Sequence, residues 1–104
     1  MFVAMNRFNV APGKDADFET IWRERETHLQ GVPGFLQFAL LRSDNQGEYI
    51  SHSTWRDRQS FIDWTQSEAF TAGHRQGSLM GILQGPPQIG LYEAVIVETP
   101  APPM

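Results

Sequence analysis

Asn6, Trp64 and His74 lie far apart in the chain and carry the side chains best suited to chemistry: a carboxamide, a wide aromatic surface and an imidazole. His74 follows Phe70 by four residues, so in a helix the two share a face. A stretch rich in Gly, Gln and Pro begins directly after it. Taken alone, this histidine does not decide between packing and ligation. Asn6 is out of place, because it falls between Ala4 and Phe8 on an otherwise apolar side of an alternating segment. An amide there costs free energy unless a backbone group satisfies it or it points into a cavity to meet a ligand. The other histidines have simpler readings. His28 is expected near the end of a helix, where the dipole favours it, and His52 in mid-strand as a hydrogen-bonded structural residue. Trp22 and Trp55 read as core aromatics.

The elements that must position these groups follow from hydrophobic periodicity. Residues 2–10 alternate as a first strand, with Phe2, Ala4, Asn6 and Phe8 on one face and Val3, Met5 and Arg7 on the other. The turn Pro12-Gly13-Lys14-Asp15 leads into a helix expected over 15–30, on which Phe18, Ile21, Trp22 and Leu29 recur at helical spacing and which Gly31 caps. Pro33-Gly34 opens a second strand over 35–41, and Ser43-Asp44-Asn45-Gln46-Gly47 has the chemistry of a hairpin turn. A third strand covers 48–55. Asp57 is positioned to cap a helix carrying Phe61 and Trp64, which breaks at Ser67 before a second short helix ending near His74. Residues 75–88 read as a loop and 89–97 as a last strand. The order is β-α-β-β-α-β, an α+β, ferredoxin-like arrangement around a four-stranded antiparallel sheet. Residues 1–98 form one domain on this reading, and 99–104 a disordered Pro-rich tail.

The 104 residues leave room for one core, and 40% hydrophobic content is enough to build it. The net charge of −4, without a Lys/Arg run, argues against nucleic acid as a partner. The absence of cysteine excludes disulfides, thiolate metal sites and cysteine nucleophiles. No apolar run approaches membrane-spanning length, so a soluble cytoplasmic protein with no membrane association is expected. Two helical segments cover only one sheet face, yet Val3, Met5, Leu36, Phe38 and Leu40 make parts of both faces apolar. A homodimer whose sheets pack together is therefore expected.

If the second helical region covers the sheet face bearing Asn6, then Asn6, Trp64 and His74 line one cleft. Such a lining suits a flat, mostly apolar ligand with a metal centre, and neutral imidazole is the usual axial ligand of haem iron. Four segments carry a resemblance to known proteins: Ala4-Met5-Asn6-Arg7, Pro33-Gly34-Phe35, Ser53-Thr54-Trp55, and Asp63-Trp64 followed by Ser67-Glu68, Phe70 and His74. With them the chain resembles the antibiotic biosynthesis monooxygenase superfamily, and within it the IsdG-type haem-degrading monooxygenases. The resemblance spans the chain to about residue 97, and the Asn, Trp and His combination is its specific part. It implies Asn6, Trp64 and His74 as the catalytic set. His74 would be the axial ligand of haem iron, Trp64 would press on and ruffle the porphyrin, and Asn6 would donate a hydrogen bond near the distal oxygen ligand. Trp22, Arg25 and Phe70 join them as cofactor-binding residues, with Arg25 and Arg75 as candidate propionate partners. Haem would be both substrate and cofactor, opened to a linear tetrapyrrole by O2 with electrons from an external donor such as an unidentified reductase. Two alternatives remain: a cofactor-free monooxygenase of the same superfamily acting on an aromatic or polyketide-like molecule, and a non-enzymatic dimeric binding or stress-response module.

Overall fold

The computed structural model describes residues 1–74 and 79–102, with Gly73 and His74 described by their backbone alone. Four strands, β1 (Phe2–Asn9), β2 (Phe35–Arg42), β3 (Glu48–Trp55) and β4 (Gln88–Glu93), form one antiparallel sheet in the order β2-β3-β1-β4. Helices α1 (Asp15–Glu24), α2 (Arg58–Thr65) and α3 (Glu68–His74) complete the ferredoxin-like α+β order. Register decides which residues share a face. Phe2, Ala4, Asn6 and Phe8 of β1 stand opposite Trp55, Ser53, Ser51 and Tyr49 of β3. Phe38 and Leu40 of β2 and Ile89 and Leu91 of β4 lie on that same face through their partners.

Side chains from this face and from the segments packed over it build two buried clusters. Phe2, Ala4, Leu29 and Trp55 form one, with Phe61 and Trp64 of α2 packed on it. Phe8, Val10, Phe18 and Tyr49 form the other, beneath α1. The polar pair Asn6 and Ser51 lies along the sheet between them. The opposite face carries Val3, Met5, Ile50, Ala39, Leu41 and Tyr92 and, among the described residues, has no helix over it.

Two tight approaches fix the connections. Gly47, at φ +83°, closes the β2–β3 hairpin, and a Cβ there would stand 2.9 Å from the Val10 carbonyl oxygen. Gly34, at φ +80°, leaves room for Ser60 of α2, whose Oγ would lie 2.1 Å from an added Cβ. α2 starts where the sequence predicts: the Asp57 carboxylate accepts from the Ser60 backbone N–H at 2.8 Å.

Three expectations need correction. The first helix stops at Glu24 rather than reaching residue 30, and Arg25 is already extended at ψ 137°. A helix continued to residue 30 would carry Leu29 along its own axis. Leaving the helix instead lets Leu29, 4% exposed, reach Phe2 and Trp55. His28 consequently lies in a loop at φ +57° rather than on the helix, and Gly31 closes a turn in which the Val32 N–H donates to the Leu29 carbonyl. The last strand ends at Glu93, not 97, so that Val95, Ile96 and Val97 are exposed. Within the segment expected as a loop, Leu83 bridges to Val10 and the Gln84 N–H donates to the Asn9 carbonyl, extending the end of β1.

Candidate active site

The two half-cores leave a cleft of about 290 Å3 between the sheet, α1, α2 and α3. Strand alternation turns Asn6 of β1 and Ser51 of β3 into its floor, as registered neighbours. α1 delivers Trp22 on its inner side, and the end of the helix sends Arg25 back over it. The Arg25 guanidinium carbon sits 4.4 Å from the centre of the Trp22 ring, which also stacks on Phe38 at 5.7 Å with an 18° interplanar angle and packs against Phe8 and Phe18 of the core beneath α1.

The opposite wall is aromatic. Trp64 leans on Trp55 at 5.1 Å and meets the edge of Phe70 at 4.8 Å and 84°. The break expected at Ser67 is what makes that second contact. Ser67 Oγ donates to the Trp64 carbonyl at 2.6 Å and accepts from the Phe70 N–H at 3.2 Å, ending one helix and capping the next. The chain therefore bends between Trp64 and Phe70, and both rings enter the same cleft.

Five of the six residues read from the sequence as a binding set, Asn6, Trp22, Arg25, Trp64 and Phe70, line this one cleft. The sixth, His74, ends α3; its side chain lies outside the described residues, as does Arg75. Leu29, Phe38, Ser51, Thr65 and Ile89 also line the cleft, and sequence reasoning misses them as site residues. Ser51 is the most legible of them, since it stands on the Asn6 face as soon as β1 and β3 are paired in register.

Polar chemistry in the cleft is dominated by donors. The Trp22 Nε1–H and the Arg25 Nε–H are buried and, among the described residues, without an acceptor. Burial pushes the Arg25 pKa down from its ordinary value. Arg25 is the charged lining residue, with no carboxylate beside it on the described walls. An aromatic slot with two orphaned donors and a guanidinium is suited to a planar ligand bearing acidic or carbonyl oxygens.

Two neighbouring cavities are chemically different. One, of about 240 Å3 beneath α1, contains a satisfied network: Glu19 accepts from Arg42 twice at 2.7 Å, from the Tyr49 hydroxyl at 2.5 Å and from Arg23 at 3.0 Å. Those donors hold the Glu19 pKa down at about 2, the Arg42 bond being the main cause, while burial and then Glu19 push the Tyr49 phenol up to about 12. Another, of about 380 Å3, lies between residues 28–33 and α2. Although larger than the cleft, it is lined by groups that already have partners: Asp63 accepts from Gln59, Ser60 donates to Asp57 and Ser67 caps α3.

A ferredoxin-like sheet with a lateral aromatic cleft is an architecture able to hold a small planar ligand. The chain belongs to the antibiotic biosynthesis monooxygenase family, whose model it matches over residues 1–76. It is 29% identical to heme oxygenase (staphylobilin-producing) 1 of Staphylococcus aureus over 76 residues, 71% of each protein. Among solved structures, the heme-degrader MhuD of Mycobacterium tuberculosis, with two hemes bound in its active site, superimposes with a TM-score of 0.75 at 24% identity, covering 95% of this chain and all of that one. SnoaB, a cofactor-independent oxygenase from Streptomyces nogalater, superimposes with a TM-score of 0.69 at 23% identity, covering 92% and 94%. At these identities the two structures establish the fold. Among the described residues no helix is long and apolar enough to cross a membrane.

Proposed function

We propose that the cleft binds haem and that the protein is a haem-degrading monooxygenase, opening the porphyrin to a linear tetrapyrrole and releasing iron. The observation that carries this reading is the donor-rich aromatic slot. The buried Trp22 and Arg25 N–H groups lack acceptors among the described residues, and haem supplies a flat apolar body with two carboxylates. The S. aureus relative supports the same direction. The cavity is at the small end of the range for small-molecule sites, so a macrocycle would keep part of its edge outside.

Haem, when bound, supplies the iron at which O2 is activated, with electrons from an external donor. The chain's own residues then have separable roles. His74, at the C-terminal end of α3, would be the residue to hold the iron. Arg25 pairs with a propionate as a charge-assisted donor. Trp64, braced from behind by Trp55, would form a rigid aromatic wall against the flat body of the ligand. Asn6, on the floor of the slot, would supply a hydrogen-bond donor to the bound group, and Trp22 and Phe70 would exclude water from it.

Hemin titration of the purified chain tests this reading. A sharpened, shifted Soret band near one haem per chain is expected, bleaching with ascorbate in air as a bilin appears. His74→Ala should lose the ordered coordination and the activity; a variant that bleaches haem like the parent removes His74 from the assignment. Asn6→Ala should retain haem but stall turnover.

The modest cavity volume favours a second reading, oxidation of a smaller planar aromatic without a cofactor. The two readings part on whether hemin binds stoichiometrically. In either case we expect a homodimer through the sheet face that carries no helix among the described residues, where Leu41 and Tyr92 are exposed. Light scattering that returns a monomer would rule it out.

A further inference from the structure

Three serine and asparagine side chains occupy the helix-facing side of the two central strands, where the surrounding positions are Phe2, Phe8, Phe38, Leu40, Tyr49 and Trp55. Ser53 is engaged within the fold, since its Oγ accepts from the Trp55 indole N–H at 3.0 Å and donates to the Ala4 carbonyl at 3.5 Å. Ser51 has no such engagement. It is 6% exposed, stands directly opposite Asn6 and lines the cleft. Among the described residues no side-chain hydrogen bond engages either Ser51 or Asn6. The Ser51 Oγ is not sealed from solvent and opens onto the cleft, where a ligand oxygen can take the place of water.

We infer that Ser51 is a ligand-binding group that acts together with Asn6, the two forming a two-point polar floor for one oxygen-bearing group of whatever planar molecule the cleft holds. Their registered positions set them side by side across one strand spacing, close enough to address a single oxygen or a carbonyl and its neighbour. The complementarity is specific. The amide is a fixed donor and acceptor, whereas the hydroxyl rotates to supply whichever role the amide leaves open. A ligand lacking oxygen at that position would leave both groups desolvated and unpaired, so the pair also rejects purely hydrocarbon faces. The inference shares with the proposed function only the premise that this cleft is the ligand site.

The test uses the full chain as wild type, Ser51→Ala, Ser51→Thr, Asn6→Ala and the double Asn6→Ala/Ser51→Ala variant, with two probes. Hemin is titrated by its Soret band, and its ferrous carbon monoxide complex is read by the C–O stretch. 1,8-Dihydroxyanthraquinone is titrated through quenching of Trp22 and Trp64 fluorescence. With hemin, Ser51→Ala should move the C–O stretch in the same direction as Asn6→Ala, with Ser51→Thr restoring the wild-type frequency. With the quinone, Ser51→Ala should weaken binding by about three- to tenfold, the range of one net hydrogen bond. The double variant should lose less than the product of the singles. If Ser51→Ala matches wild type with every probe that binds, the inference falls even where haem binding stands. If hemin fails to bind but the quinone binds and depends on Ser51, the haem reading falls and the Ser51 assignment stands. Failure of wild type to bind either probe overturns both.

Discussion

Replacing Arg25 by Met should strengthen the empty protein and weaken its hold on an acidic ligand. Both effects follow from one geometry. The Arg25 Nε–H is buried without an acceptor among the described residues, and leaving such a donor unpaired costs about 1–3 kcal/mol. Against this stands the guanidinium stacked 4.4 Å over Trp22, a contact that contributes about 0.5–1 kcal/mol at a partly exposed site. Methionine keeps an apolar stem over the indole and removes the orphaned donor. The unliganded variant should thus be as stable as the parent or up to about 2 kcal/mol more so. Binding moves the other way. A charge-assisted bond to a propionate is worth about 1.5–3 kcal/mol, so the hemin dissociation constant should rise by about ten- to 150-fold. Arg25→Lys should fall between the two, keeping the charge but not the planar stack. Urea melts of the apo-protein followed by tryptophan fluorescence, alongside Soret titrations, measure both quantities. A variant destabilised by more than about 1 kcal/mol with unchanged hemin affinity would show that Arg25 is a structural residue and the donor argument wrong.

Leu29→Ala should cost about 2–3 kcal/mol, the low end for a buried leucine, because its site adjoins the cleft and water or neighbouring side chains can occupy part of the void. Calorimetry should show a melting temperature lower by on the order of 10–20 °C, and a drop of only a degree or two would contradict the packing described. Gly34→Ala combines a left-handed backbone with a Cβ placed 2.1 Å from Ser60 Oγ, so a loss of about 2–5 kcal/mol is expected; a parental urea midpoint would refute it. Glu19→Gln should alter the acid limb of stability. The folded carboxyl titrates at about 2 against an ordinary 4.5, so its contribution is complete above about 4.5 and is lost as pH falls toward about 2. Acid titration by circular dichroism should therefore show a flatter decline over that window in Glu19→Gln, and a limb superimposable on the parent's would dismiss the network as a stabiliser.

Much of this arrangement is legible in residue order because the period of a strand assigns each residue of β1 to a face before any contact is known. The Asn6 anomaly then points to the cleft, and the Asp57 and Ser67 caps locate the bend that brings Trp64 and Phe70 together. The departures have a common cause. Periodicity overextends α1 because Leu29 fits the helical period, yet its burial is achieved from a loop, a tertiary preference that periodicity does not record. Composition draws β4 through Val97 because β-branched residues describe a strand's chemistry without saying where a neighbour ends. β1 supplies partners to Gln88–Glu93, and the Ala94 N–H donates to the Met1 carbonyl just beyond them. Ser51 escapes a reading of residue order because a serine beside a histidine in mid-strand has nothing unusual about it until the register places it across from Asn6.

The separation of the buried side chains into two clusters has a consequence for cooperativity. Phe2, Leu29 and Trp55 anchor α2, while Phe8, Phe18 and Tyr49 anchor α1, and the sheet with the Trp22–Phe38 stack is what the two assemblies share. With so narrow a link between them, native-state hydrogen exchange should show α1 and α2 opening with different free energies. A molecule lying across Asn6 and Ser51 touches both assemblies and turns two weakly linked units into one. Occupancy would then appear as a steeper, later melting transition and as protection spreading from the cleft into both helices.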